Sequence, residues 1–360
     1  MRASAACLLL LLRCGSAVRL GKQQEEGGPL VCRATCQLRG TGNESRSCPF
    51  AKYLEDKYYY WRHYRGCDAP YQRVDLSCGG LKPGGYGAEI RKQLGGKHVV
   101  MIGDSTMRQT YIGLLCLLWE EGLVSDDPHR AVESKQRLIE KEDRGFIETK
   151  LPELGDGTKL TYVRKDWGQP GPMMMSVLDT ADITVANLAM HYSSAVGLST
   201  QVLQDGQGNH TVRYTEDVTS LLTNISARGR PGHRAFWREA LVCPKYFHEN
   251  WPDTVYGCDS EPNPTLRSHN SVVAKLPAFE GVEVLPVSEM FLRFWWAHPG
   301  GHDCCHMVGR VPGLLASVSR IFVSMLAHPK AKGIEIERRE SACPRMESRC
   351  TELRPQTEVF

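Results

Sequence analysis

Along residues 97–327, short β-branched runs alternate with stretches whose apolar residues recur every three or four positions. HVVMI (98–102) predicts a buried strand, and residues 107–119, apolar at 107, 111, 114, 115 and 118, predict a helix with one buried face. ADITVANLA (181–189) and VEVLPV (282–287) predict two further strands. VPGLLASVSRIFVSMLAH (311–328) predicts a last helix, with Pro312 near its start and a stripe through Leu315, Val318, Ile321 and Leu326. Such alternation argues for an α/β domain whose mainly parallel sheet is covered on both faces. Residues 126–150 and 199–235 are charged or polar with glycine and read as excursions from that sheet.

The pattern differs before residue 90. Residues 1–18 have Arg2, an apolar run from Ala5 to Leu12 and the small residues Gly15, Ser16 and Ala17, the layout of a signal peptide or of a short anchor. Residues 23–90 carry Cys32, Cys36, Cys48, Cys67 and Cys78 with little apolar periodicity, and are expected to form a disulfide-stapled cap. The odd count requires one of the five to pair elsewhere or to stay free. Residues 91–330 form the expected main domain, and 331–360 a polar tail in which Cys343 and Cys350 are expected to pair. Apart from Cys7 and Cys14 in the leader, the 14 cysteines leave an even twelve, and sequons stand at Asn43, Asn209 and Asn224. Together these predict a secretory-pathway protein, in the Golgi lumen or outside the cell. With 44 Lys+Arg against 41 Asp+Glu, the chain lacks the charge excess of a nucleic-acid binder, and an uncharged substrate fits better.

Two short stretches carry candidate chemistry. In HVVMIGDST (98–106), Ser105 follows the first strand through Gly103 and Asp104, where open α/β sheets bind ligands, and the next helix would aim its N–H groups there. Ser105 is then either a nucleophile or, with Asp104, an ordinary helix cap. In HDCCH (302–306), Asp303 and His306 are spaced so that the carboxylate can orient the imidazole as a base. His298, His302 and His306 beside Cys304 and Cys305 also suggest zinc. Pro299, Gly300 and Gly301 would break the helix that aligns them, and exported thiols oxidise, so no metal is expected; a plain disulfide loop is the other reading.

GDSTMR (103–108) with D-C-x-H (303–306) resembles the trichome-birefringence-like and PC-esterase group of the SGNH hydrolases. WRHYRGCDAPY (61–71), CLL (116–118), AFWREALVCPKYFHENWPDTVYGC (235–258) and VPGLL (311–315) are similar to that family's other blocks, in the same order. The resemblance implies a three-layer α/β/α SGNH-like domain with a disulfide-rich N-terminal cap. It implies Ser105 as nucleophile, His306 as base and Asp303 as its orienter, with Arg108 donating to the oxyanion or fixing the acyl group. Asn187 takes the place of the superfamily's oxyanion-hole asparagine, although Ala189 stands where glycine is expected. Gly103, Asp104, His191 and Arg238 are further oxyanion or substrate-contact candidates, and Cys258 and Cys304 are the implied disulfide pair. Val308 stands where plant members tend to have cysteine, so one family disulfide is missing or rewired.

The implied activity is polysaccharide O-acetyltransfer by double displacement through an acetyl-serine. The alternatives are an O-acetyl esterase on the same residues and a non-enzymatic carbohydrate-binding module. The partners expected are an oligo- or polysaccharide and a membrane protein that delivers the donor, with no nucleic acid. An activated acetyl donor is a co-substrate, and no cofactor is tightly bound. Trp61, Trp237, Trp251, Trp295 and Trp296 are candidate surfaces for stacking sugar rings.

Overall fold

The computed structural model describes residues 28–38, 48–55, 71–136, 145–192, 210–241, 244–246, 258–262, 264–288, 306, 313–331 and 333–337. The strands are β1 (Leu30–Leu38), β2 (Tyr71–Cys78), β3 (His98–Gly103), β4 (Val132–Gln136), β5 (Gly145–Lys150), β6 (Lys159–Arg164), β7 (Ile183–Ala186), β8 (Arg234–Arg238), β9 (Pro244–Tyr246), β10 (Cys258–Pro262), β11 (Val282–Leu285) and β12 (Ile334–Ile336). The longer helices are α1 (Pro49–Glu55), α2 (Gly87–Leu94), α3 (Ser105–Glu120), α4 (Pro172–Leu178), α5 (His210–Arg228), α6 (Pro264–Val273) and α7 (Leu314–Ala327).

The chain is an α/β protein with a mixed, mostly parallel sheet of seven strands in the order β11-β8-β7-β3-β6-β5-β4. From β11 to β6 every pairing is parallel; β5 and β4 add an antiparallel edge. Numbered by appearance, the parallel strands run 2-1-3-4-5, so the order reverses between β3 and β7. The carboxyl ends of those two strands therefore flank a crevice of the kind that binds ligands in such sheets.

Both faces of β3 are apolar and are used separately. Val99 and Met101 join the core with α3 and α7, while Val100 and Ile102 join the one with α4 and α5. Two-sided burial explains why HVVMI is a continuous apolar run rather than an alternating one.

The two polar excursions are not outside the fold. Residues 126–150 supply β4 and β5, and residues 199–235 contain the 19-residue helix α5. β5 pairs along its whole length with β6, which itself pairs with β3, so an edge position lets polar residues enter a sheet. α5 turns Tyr214, Val218, Leu221, Leu222 and Ile225 inward, a helical stripe set within a polar background. The predicted single buried face of α3 is also corrected. Every residue from Ser105 to Leu118 is buried, because α1, α7 and the sheet enclose the helix.

The N-terminal segment shares the main core. β1 pairs antiparallel with β2 and parallel with β12, which lies in the polar tail, and Leu30, Phe50, Val74 and Leu76 pack in the α3 and α7 core. Cys32 and Cys78, directly opposite in the β1–β2 ladder, are disulfide-bonded. Cys48 bonds to Cys116 on α3, which answers the odd cysteine count. Pairings of Cys67, Cys343 and Cys350 lie outside the described residues.

α3 and α7 approach until their backbones touch. A Cβ on Gly113 would stand 2.1 Å from the Leu315 carbonyl oxygen, so only glycine permits the contact. Fully buried Arg320 of α7 then reaches Asp75 of β2 (3.2 Å) and Glu120 of α3 (2.5 Å), with Arg73 completing the cluster on the same two carboxylates. Burial lifts the Glu120 carboxyl above its usual range, and the two guanidinium groups pull it only part of the way back.

Two predictions follow from this packing. Gly113→Ala lowers stability by about 1–3 kcal/mol, although alanine gains about 1 kcal/mol of helix propensity, because the overpacked contact outweighs it; urea unfolding measures the change. His98 is 4 % exposed, with its ring nitrogens bonded to Thr161 and Thr180. Burial, aided by Lys159, depresses its pKa from 6.5 to about 4. The unfolded chain thus binds the proton more readily, and stability falls as pH drops from 6.5 towards 4. Denaturation curves of His98→Asn lack that part of the slope.

Candidate active site

β3 ends on a glycine for a steric reason. A Cβ on Gly103 would lie 2.5 Å from the Asn187 carbonyl oxygen and 2.8 Å from the Met107 Cβ. The residue therefore serves the close approach of β3, β7 and α3. Asp104 is the N-cap of α3: its Oδ1 accepts from Thr106 N–H (2.8 Å) and from the Thr106 hydroxyl (2.6 Å), and its Oδ2 from Met190 N–H (3.3 Å). The Asp104 carbonyl accepts from Met107 and Arg108 N–H and from the buried Tyr162 hydroxyl (2.9 Å).

Of the first helical turn, Thr106, Met107 and Arg108 N–H are thus committed. Ser105 N–H makes no hydrogen bond among the described residues, which leaves one helix-terminal donor at the position where an oxyanion would form.

Ser105 itself is 9 % exposed, and its Oγ lies 2.7 Å from the Nε2 of His306, across 201 residues of chain. This is hydrogen-bond distance between a hydroxyl and a base. His306 is partly buried and lies eight residues before α7, the helix whose close contact with α3 was described above. Asp303, Cys304 and the pairing of Cys304 with Cys258 lie outside the described residues.

Beneath the serine, a buried polar chain links three strand ends. Arg238, ending β8 and fully buried, donates from Nη2 to the Thr106 hydroxyl (2.7 Å), which in turn donates to Asp104. Asn187, just past β7, donates from Nδ2 to the Arg238 carbonyl (2.8 Å) and keeps a second amide hydrogen. Its Oδ1 is buried without a hydrogen bond among the described residues. Arg108 is buried on the first turn of α3. Burial alone would raise the Asp104 carboxyl; His191, Arg238 and the Thr106 hydrogen bonds outweigh it and hold the group below its ordinary value.

No protein-family model matches the chain, and no curated protein matches it.

The structure brings Ser105, His306, Gly103, Asp104, Arg108, Asn187 and Arg238 to the carboxyl end of the sheet, and His191 to the turn after β7. The site also contains residues that motif reading did not single out: Thr106, Tyr162, Arg164 at the end of β6, and Asp166 and Trp167 just after it. The usable signal was KLTYVR (159–164), a β-branched and aromatic run that pairs with β3. Trp237 is core, 2 % exposed, and provides no stacking surface; the other four candidate tryptophans lie outside the described residues.

Asp104→Asn separates charge from capping, since asparagine caps a helix as well as aspartate. The variant loses about 3 kcal/mol at pH 7, because Arg238 stays buried opposite a neutral amide. The folded-state pKa is depressed, so the wild-type advantage is present above the ordinary carboxylate range and fades as pH falls through the folded value. Unfolding midpoints across pH therefore converge on the acid side.

Proposed function

We propose that the chain is a secretory-pathway carbohydrate O-acetyltransferase with an SGNH-type fold, acting through an acetyl-Ser105 intermediate. The observation that carries this reading is the 2.7 Å contact between Ser105 Oγ and His306 Nε2 at the head of a helix whose Ser105 N–H is uncommitted. The fold reading is supported by the strand order 2-1-3-4-5, with the serine after the first parallel strand and the histidine before the last helix.

His306 takes the hydroxyl proton as Ser105 Oγ attacks the acetyl carbonyl of the donor ester. The oxyanion is met by Ser105 N–H and by the second hydrogen of the Asn187 amide. Collapse expels the donor's leaving oxygen, which takes the proton from His306. In the second half, His306 deprotonates a sugar hydroxyl, whose oxygen bonds the acetyl carbon. The bond from Ser105 Oγ then breaks, and Oγ recovers its proton. Asp303 is assigned to orient His306. The activated donor is a co-substrate, brought by a membrane delivery protein. The disulfides Cys32–Cys78 and Cys48–Cys116 are compatible with an oxidising compartment, and no described helix is long and apolar enough to cross a membrane.

Intact-mass and peptide mass spectrometry after incubation with a chromogenic acetate ester test the reading. One acetyl group is expected on Ser105, none in Ser105→Ala, and acylation slowed at least about a hundredfold in His306→Ala. Acetylation that persists in Ser105→Ala, or a wild-type protein that takes up no acetyl group, sinks the assignment. Added oligosaccharide separates transfer from hydrolysis by the mass of the product.

A further inference from the structure

The turn after β7 carries a second histidine that the Ser105–His306 pair does not use. His191 is 5 % exposed in the turn Met190–Tyr192, and the preceding residue's N–H is bonded to Asp104, so this turn and the nucleophile turn are tied together. Its Nε2 lies 3.3 Å from Asp166 Oδ1, an ion-pair distance without hydrogen-bond alignment, and neither ring nitrogen makes a hydrogen bond among the described residues. Asp166 is itself fixed by the fork of Arg164, Nε to Oδ1 at 3.0 Å and Nη2 to Oδ2 at 3.2 Å. The partly exposed Trp167 meets the imidazole edge to face, with ring centroids 5.6 Å apart.

We propose that His191, backed by Asp166 and flanked by Trp167, is the acceptor subsite: its imidazole hydrogen-bonds one hydroxyl of a neutral sugar and so presents a neighbouring hydroxyl to Ser105. This rests on the acyl-transfer reading of Ser105. A buried polar nitrogen without a partner costs free energy, and a ligand hydroxyl supplies what the ring lacks. Buried surroundings and the Asp166 contact restrict the ring, so little of its rotational freedom is lost on binding. Sugars carry hydroxyls on adjacent carbons, so fixing one restricts the other, which converts a collision with acetyl-Ser105 into a positioned attack. The indole adds an apolar surface of the kind on which sugar rings stack. No proton is lost or gained by His191 over the cycle; the transferred proton moves between the acceptor oxygen, His306 and Ser105 Oγ.

Binding and partition test the subsite separately. Xylotetraose, mannotetraose and cellotetraose are titrated by NMR into Ser105→Ala protein, with and without a second change, His191→Phe or His191→Gln. At least one tetraose is expected to bind, with His191→Phe weakening it about tenfold and His191→Gln, which keeps hydrogen-bonding atoms, weakening it less. In protein with Ser105 intact, His191→Phe is expected to lower the ratio of acetyl transferred to acetyl hydrolysed at least about fivefold, a ratio that loss of active protein alone leaves unchanged. The proposal is overturned if none of the three sugars binds, if binding is unaltered in His191→Phe, or if that ratio stays constant. A wild-type protein that never acylates Ser105 defeats the transfer reading instead, and the binding titration then decides the subsite.

Discussion

The approach of α3 to α7 is the constraint on which the rest depends. Ser105 begins one helix and His306 lies shortly before the other, so their 2.7 Å contact is set by how those helices pack. Gly113 fixes the distance by removing the side chain that would hold the backbones apart. The cluster of Arg73, Asp75, Glu120 and Arg320 fixes the far end, where any rotation of α7 would part charges that burial makes expensive to leave unpaired. Cys48–Cys116 ties α3 to the segment before the main sheet, and β12 pairs with β1, so β1 and β12 join the bracing of the same helix pair.

On the acyl-transfer reading, the helix cap and the nucleophile are not opposed. Asp104 caps α3 and thereby consumes the donors of Thr106, Met107 and Arg108 through its side chain and carbonyl, which isolates Ser105 N–H. The capping carboxylate would be costly in so buried a place without Arg238, which reaches it through the Thr106 hydroxyl. That interaction also joins the end of β8 to the ends of β3 and β7. Capping, strand alignment and presentation of the serine are one network, and a change at Thr106 would disturb all three.

Legibility in the sequence followed how local each signal was. β3, β7, β11, α3 and α7 were readable because a strand buried on both faces is a continuous apolar run and a long helix repeats its apolar residues. The Ser105–Asp104 turn was readable for the same reason. β4, β5 and β12 were not, since the two strands at the antiparallel margin of the sheet and a three-residue strand need little apolar content. The full burial of α3 was hidden as well: Gln109, Thr110 and Arg108 look like a solvent face, and only the segments folded over them make it an interior one. Arg164, Asp166 and Trp167 escaped notice because their meaning comes from adjacency to His191 across the sheet, which no spacing along the chain encodes.

On the acyl-transfer reading, the same burial bears on the choice between sugar and water. An acetyl-serine is hydrolysed when a water can reach the carbonyl with a base beside it, and here the base is fixed at Ser105. Ser105 is 9 % exposed, Asp104 and Arg238 are inaccessible, and His191 and Asp166 line the neighbouring strand ends almost wholly out of solvent. On the subsite proposal, an acceptor hydroxyl bonded to the His191 imidazole would displace water from beside Ser105. Selectivity for transfer then arises from the shape and polarity of the crevice between β3 and β7, with the same serine and histidine serving both half-reactions.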